Sequence, residues 1–378
     1  MQTANQNLIT MEGLVLRFYT YEGVVEALDG IDLQIKQGEI LGVVGETGCG
    51  KSVTSLSIMG IVQSPGVIEG GRIVLNMEGK EVDLLRQEEN VMRGIRGRDI
   101  SMVFQEPRAY LNPVYTVEDQ IGEALIAHRK KEFIKRALET LRKKQPKAHY
   151  RIGLYEMWSR RPENLFIRFL SKIPIARRFQ KPFKMEIRKE IVSLIERLGI
   201  ADPERVVTMY PHELSGGMAQ RIVIAISLAC NPKLLICDEP TTNLDVTVQA
   251  QILELIKTLR ESLKSSILYI THDLGVVAEL CERVAVMYAG TVVEVANVMD
   301  LFKKPLHPYA GGLLASIPRP GSPFRSIPGI VPSLINPPVG CRFHDRCAYA
   351  MEVCRKMKPK LIEVEKDHFV ACFLVGGQ

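Results

Sequence analysis

Gly45-Glu46-Thr47-Gly48-Cys49-Gly50-Lys51-Ser52 is the stretch that decides the fold. It fits G-x-x-x-x-G-K-[ST], in which glycines let backbone N–H groups approach phosphate closely. Its flanks agree with that reading. Ile40 to Val44 is an unbroken apolar run, as expected of a parallel strand covered on both faces. A helix of small and apolar residues begins at Lys51. Strand, glycine loop and helix in this order define a phosphate-binding α/β core. Lys51 then reaches the β- and γ-phosphates, and the Ser52 hydroxyl binds Mg²⁺.

Further runs extend the core. Leu14 to Phe18 and Ile31 to Ile35 alternate like antiparallel strands, and Ile73 to Leu75 and Ile100 to Phe104 read as strands. Val117 to His128 and Ile191 to Leu198 carry a helical period. Leu234 to Cys237 and Ile267 to Ile270 are short buried strands separated by a helix, Val246 to Leu263. Val284 to Tyr288 and Val292 to Val295 form a hairpin turning at Ala289-Gly290. From Pro305 the prolines are dense and the pattern ends, which places a domain boundary near Asp300.

Chemistry-bearing residues stand at the ends of these elements. Leu234 to Cys237 runs into Asp238 and Glu239. Asp238 is placed to support Mg²⁺, and Glu239, on the opposite face of the strand, to polarise an attacking water. Gln105 follows one buried strand and His272 another, where ligands bind in α/β sheets. Leu214-Ser215-Gly216-Gly217-Met218-Ala219-Gln220-Arg221 sets a hydroxyl and two glycines before the apolar helical run Ile222 to Cys230, which makes a second anion site at a helix N-terminus.

Composition bounds the rest. The chain has 378 residues, 46% hydrophobic and 24% charged, which fits ordinary globular domains. No apolar run is long enough to span a bilayer, and Met1 to Thr10 shows no signal-peptide pattern, so a cytosolic protein is expected. The net charge of +6 is uneven: Arg129 to Lys189 carries 20 Lys/Arg against 5 Asp/Glu, which leaves −9 for the remainder. Of eight cysteines, Cys49, Cys230, Cys237 and Cys281 look like core residues. Cys341, Cys347, Cys354 and Cys372 cluster near the C-terminus, where zinc or an iron–sulfur cluster is the first reading in a reducing compartment.

Together the motifs resemble the ATP-binding subunits of ABC transporters, over about residues 11 to 300. The resemblance implies a P-loop ATPase core with an antiparallel β subdomain and a helical subdomain at about 106–225. It implies that Gln105 touches Mg²⁺ and senses the transmembrane partner. Ser215, Gly216 and Gly217 would close over ATP held by the opposite subunit. Asn243-Leu244-Asp245 would be the D-loop, with Asp245 facing that same ATP, and His272 the switch residue near the γ-phosphate. Together with Gly45 to Ser52 and Asp238, an aromatic stacked on adenine is implied, Tyr21 or else Tyr19.

The resemblance narrows to the oligopeptide/dipeptide importer branch on Phe104-Gln105-Glu106-Pro107, Leu111-Asn112-Pro113, Tyr210-Pro211-His212-Glu213 and His307-Pro308-Tyr309. It implies peptide import driven by ATP with Mg²⁺; oligosaccharide and nickel importers use similar subunits. It implies a heterodimer with a second ATPase subunit, two permease subunits, an extracellular solute-binding protein, and residence at the cytoplasmic face of the membrane. Cys341 to Cys347 looks like the branch's C-terminal extension (301–378), which favours [4Fe–4S] over zinc. A soluble ABC ATPase of DNA repair or translation shares the core motifs but would not be expected to carry the His307-Pro308-Tyr309 tail.

The resemblance fails between Lys130 and Lys189. Two readings stand for this basic insertion, with Trp158 and the aromatic-basic stretch Phe166 to Lys184. It lies against the anionic leaflet or a membrane partner, or it is a solvated insertion. Nucleic acid is not an expected partner, because no recognition fold is apparent.

Overall fold

The computed structural model describes residues 7–77, 79–105, 107–144, 149–160, 179–242, 244–318 and 326–375. The strands are, in chain order, β1 (Asn7–Thr20), β2 (Gly23–Lys36), β3 (Ile40–Val44), β4 (Gly66–Met77), β5 (Lys80–Asp83) and β6 (Ile100–Val103), then β7 (Leu234–Asp238), β8 (Ser266–Ile270), β9 (Arg283–Tyr288), β10 (Thr291–Asn297), β11 (Ile362–Glu365) and β12 (His368–Val370). They form two sheets. One is antiparallel, ordered β2-β1-β4-β5. The other has eight strands in the order β11-β12-β10-β9-β3-β8-β7-β6. Its centre is parallel: β3 pairs with β8 and β9, and β7 with β6 and β8.

The apolar runs explain this placement. Every residue of β3, β7 and β8 is buried. Along β3 the faces alternate: Leu41 and Val43 pack toward the antiparallel sheet, while Ile40 and Val44 join the helical side. A fully buried aliphatic side chain contributes about 2 kcal/mol. These two apolar layers therefore fix the central strands, and the loops at their C-terminal ends, in register.

The chain beyond the expected boundary near Asp300 does not stand apart from this sheet. Glu294 on β10 pairs with Val370 on β12, and β11 pairs outside β12. The Glu294 carboxylate is fully buried and accepts from Leu306 N (2.9 Å), His307 N (2.8 Å) and His368 Nε2 (2.8 Å). Tyr309, Leu314 and Phe343 enter the main apolar core. His307 Nδ1 accepts from Tyr309 N at 3.0 Å and caps the helix Pro308–Ala315; burial pushes its pKa down to about 3, so the ring stays neutral.

The basic block is built on helices. Val117–Lys144 continues well past His128, and His149–Arg160 and Lys181–Arg197 pack beside it. Residues 145–148 and 161–178 of the insertion, including Phe166, lie outside the described residues. Trp158 lies inside this helical part. It is 4% exposed, its ring tilted against Phe183 (4.9 Å between centroids) and edge-on to Phe179 (5.8 Å), and so fills a small aromatic core. Part of the positive charge is also matched. Arg129 pairs with Glu132 (2.8 Å) and Glu190 (3.0 Å), Arg136 with Glu190 (2.8 Å), and Arg188 with Glu204 (2.9 Å) and Glu118 (2.5 Å).

Candidate functional site

The loop Gly45 to Ser52 leaves the end of β3 and opens the helix Lys51–Met59. Two of its glycines are required by close packing. A Cβ on Gly45 would lie 2.2 Å from Met287 O, and one on Gly50 2.9 Å from Ala27 O, with Gly50 also at φ 103°. The helix start carries no side-chain cap, which leaves its first N–H groups to an anion. Thr47 and Gly48 form the exposed crest, while Cys49 is buried, which raises its thiol pKa. Lys51 is 6% exposed, and its Nζ donates back to Gly45 O (2.9 Å) and Glu46 O (3.1 Å).

Two carboxylates face this loop from the end of β7. Ser52 Oγ donates to Asp238 Oδ1 at 3.1 Å. Burial pushes the Asp238 carboxyl up, and the Ser52 hydroxyl opposes that shift. The next residue, Glu239, sits at φ 46° in the left-handed region, held by its N–H to Ile270 O at 2.9 Å. A non-glycine residue there costs on the order of 1–3 kcal/mol and persists only where its surroundings hold it. The kink turns the carboxylate to a different set of partners. Oε2 accepts from Gln105 Nε2 (3.2 Å) and Thr242 Oγ1 (3.1 Å), and His272 Nδ1 stands 3.4 Å away. The residues flanking His272 are tied down: Asp273 N donates to Thr271 Oγ1 (3.0 Å), and Asp273 caps the helix Leu274–Leu280 through Gly275 N (2.8 Å).

Gln105, Glu239 and His272 are therefore brought together beside Ser52 and Asp238. Thr242 belongs to the same cluster and was missed by sequence reasoning; its only signal is its position in the turn after Pro240. Ser215 caps the helix Gly216–Leu228 by accepting from Met218 N at 3.3 Å, and Asp245 caps Val246–Leu263 by accepting from Val248 N at 2.9 Å. These two helix starts adjoin, because a Cβ on Gly217 would come 2.9 Å from Val248 Cγ1, whereas one on Gly216 would meet nothing within 4 Å. Asn243 and Glu106 lie outside the described residues. Tyr21 occupies the β1–β2 turn and is 98% exposed. Tyr19 is 51% exposed, and its hydroxyl is taken by Glu69.

The four C-terminal cysteines lie beside one another without forming a metal-ligand set. All four are free thiols in one neighbourhood: burial pushes Cys341 up to about 11, with Cys354, Cys372 and Cys347 adding to it. Yet among the described residues no group of three or more His, Cys, Asp or Glu is placed to hold a metal ion. One reason is local. Cys354 Sγ turns to accept from Met351 N at 3.4 Å, at the start of the helix Glu352–Lys356.

The fold and the cluster define a P-loop nucleotide-binding protein with a mixed sheet. The family model described as ABC transporter matches residues 28–242, and the one described as oligopeptide/dipeptide transporter, C-terminal region, matches residues 293–354. The chain belongs to the ABC transporter family. It is 43% identical over 374 residues to a probable peptide ABC transporter ATP-binding protein, y4tR, of Sinorhizobium fredii, covering 97% of this chain and 94% of that one. It is 41% identical over 373 residues to the dipeptide transport ATP-binding protein DppD of Bacillus subtilis, covering 98% and 95%. The dimeric ATP-binding cassette MJ0796, bound to ADP and Pi, shares the fold, with a TM-score of 0.55 at 21% identity over 77% of this chain and 98% of that one. No described helix is long and apolar enough to cross a membrane.

Proposed function

We propose that this chain is the ATP-hydrolysing subunit of an importer for peptides or dipeptides. The observation that carries the reading is Glu239, held by Gln105 and Thr242 next to the Ser52–Asp238 pair, in a chain matched at its C-terminal region to oligopeptide/dipeptide transporters. Gly45 to Ser52 cradles the phosphates of ATP, and the exposed Tyr21 ring stacks on adenine. The hydroxyl of Ser52 and the carboxylate of Asp238 are hard oxygen donors 3.1 Å apart, with the Gln105 amide held on the adjacent Glu239, which suits Mg²⁺. Mg²⁺, when bound, neutralises charge on the phosphates. Glu239 takes the proton of the attacking water, and His272 donates toward the γ-phosphate.

Ser215, Gly216, Gly217 and Asp245 face ATP bound by a second, related ATPase subunit. Closure of the two subunits joins each loop to the other's helix start, and hydrolysis reopens the pair. The partners are that subunit, two permease subunits at the cytoplasmic face of the membrane, and an external solute-binding protein. Residues 1–300 form the nucleotide-binding domain, with the basic insertion 130–189 in its helical part, and 301–378 the importer-type extension. The test is uptake of a labelled dipeptide by cells lacking this chain. Restoration by the wild type, with permease subunits co-purifying, is the expected result. ATP hydrolysis without membrane partners would favour a soluble ABC ATPase, and rescue of nickel or oligosaccharide uptake alone would replace the solute.

A metal at Cys341, Cys347, Cys354 and Cys372 is the finer reading of the extension. The mutual electrostatic coupling of these thiols supports it, because several thiolates brought together are stabilised by a cation. Metal analysis of anaerobically purified protein is expected to find iron and sulfide, both lost in Cys341→Ser. Stoichiometric zinc without iron would rule out the cluster, and the absence of both metals would leave four thiols.

A further inference from the structure

The extension reaches back to the phosphate-binding loop. Arg346, inside the Cys341 to Cys347 turn, donates from Nη1 to Glu46 Oε2 (2.6 Å) and from Nη2 to Glu46 Oε1 (3.1 Å). Its side chain is buried, and its Nε is held by Pro328 O (2.9 Å). Tyr309 OH accepts from Glu46 N at 2.9 Å, and Glu46 O accepts from Lys51 Nζ at 3.1 Å. A second strut reaches the other side of the loop. Arg342 Nη1 donates to Ala289 O (2.5 Å), and the adjacent Gly290 N donates to Cys49 O (2.9 Å).

Glu46 poses an electrostatic problem. A carboxylate within a loop that accepts phosphates repels its ligand. The Arg346 guanidinium removes that repulsion, and its hydrogen bond to Glu46 pushes its own pKa further up. We infer that Arg346 is a positioning residue of the nucleotide site: by fixing and neutralising Glu46 it makes the ATP affinity of the loop depend on the C-terminal extension. The inference rests on the nucleotide-binding reading of the loop given above. It adds a tail residue, far from the loop in sequence, that acts through Glu46.

The test is binding of Mg-ATPγS to the full chain, by calorimetry, at low and high salt. Arg346→Gln is expected to raise Kd about tenfold at low salt, and less at high salt, because it leaves the Glu46 charge facing the phosphates. Adding Glu46→Gln to Arg346→Gln is expected to recover most of that loss, since it removes the repelling charge. A packing role for Arg346 predicts neither the salt dependence nor the recovery. An unchanged Kd in Arg346→Gln, or a loss that Glu46→Gln does not reverse, overturns the inference. Should Arg346→Gln fail to fold, Glu46→Gln alone decides: it is expected to bind Mg-ATPγS severalfold tighter, and weaker binding overturns the inference. Failure of the wild type to bind Mg-ATPγS would instead sink the reading of the loop itself.

Discussion

Glu239→Gln is expected to lower ATP turnover by about a hundred- to ten-thousandfold, the range set by loss of a general base. Nucleotide binding should change little. The glutamine keeps the length of the side chain and an oxygen that accepts from Gln105 and Thr242, which now hold the carboxylate at 3.2 and 3.1 Å. The backbone kink at φ 46° is set by β7 and the Ile270 carbonyl, so it stays as well. What disappears is the capacity to take a proton. Phosphate binding is assigned to other groups: the uncapped start of the helix Lys51–Met59, the Lys51 ammonium and Ser52. Binding and turnover should therefore separate cleanly. Single-turnover hydrolysis, beside a Kd measured on the same preparation, reads both. Turnover near the wild-type rate would remove Glu239 as the base and leave His272, 3.4 Å from it, as the next group to examine.

The parts of this site that the sequence made legible are those fixed by local order. A strand buried on both faces must be apolar throughout, so β3, β7 and β8 announce themselves as Ile40 to Val44, Leu234 to Cys237 and Ile267 to Ile270. The first one or two residues after each strand then fall at the sheet's C-terminal edge, which is how Glu239 and His272 could be named. Thr242 was not named, because only the left-handed turn at Glu239 brings its hydroxyl to the carboxylate, and nothing in Pro240-Thr241-Thr242 encodes that direction by itself.

Long-range contacts were less legible still. The loop's link to Arg346 joins residues far apart in the chain, and an arginine between two cysteines carries no mark of which carboxylate it will meet. The strands β11 and β12 are too short to show a period, and their place is set by a buried Glu294 that gathers the His307 amide and the His368 ring. In the basic block, composition said less than spacing. Charge and aromatics there resemble a surface segment, but the helical spacing of Tyr155 and Trp158 puts both on one face against Phe179 and Phe183.

Lys51→Ala is expected to weaken Mg-ATP binding about a hundredfold, or more. A charged hydrogen bond contributes about 1.5–3 kcal/mol, and 1.4 kcal/mol is a factor of ten in affinity. The Lys51 environment argues for the upper part of that range. The ammonium is nearly buried, and its acceptors, Gly45 O and Glu46 O, are backbone carbonyls that bear only partial charge. A buried cation so placed gains most when an anion arrives, because its desolvation has already been met in the folded state. The same reasoning predicts that the empty loop loses little stability when the charge is removed. Lys51→Ala should therefore melt close to the wild-type temperature without nucleotide, while the rise in Tm produced by Mg-ATP nearly vanishes, since that rise follows RT ln(1 + [L]/Kd). Lys51→Arg should not restore it: a planar fork does not fit between two carbonyls and the buried Cys49 thiol where a single ammonium sits. A wild-type thermal shift in Lys51→Ala would mean that the loop's N–H groups alone hold the phosphates, and Lys51 would then be a structural cation.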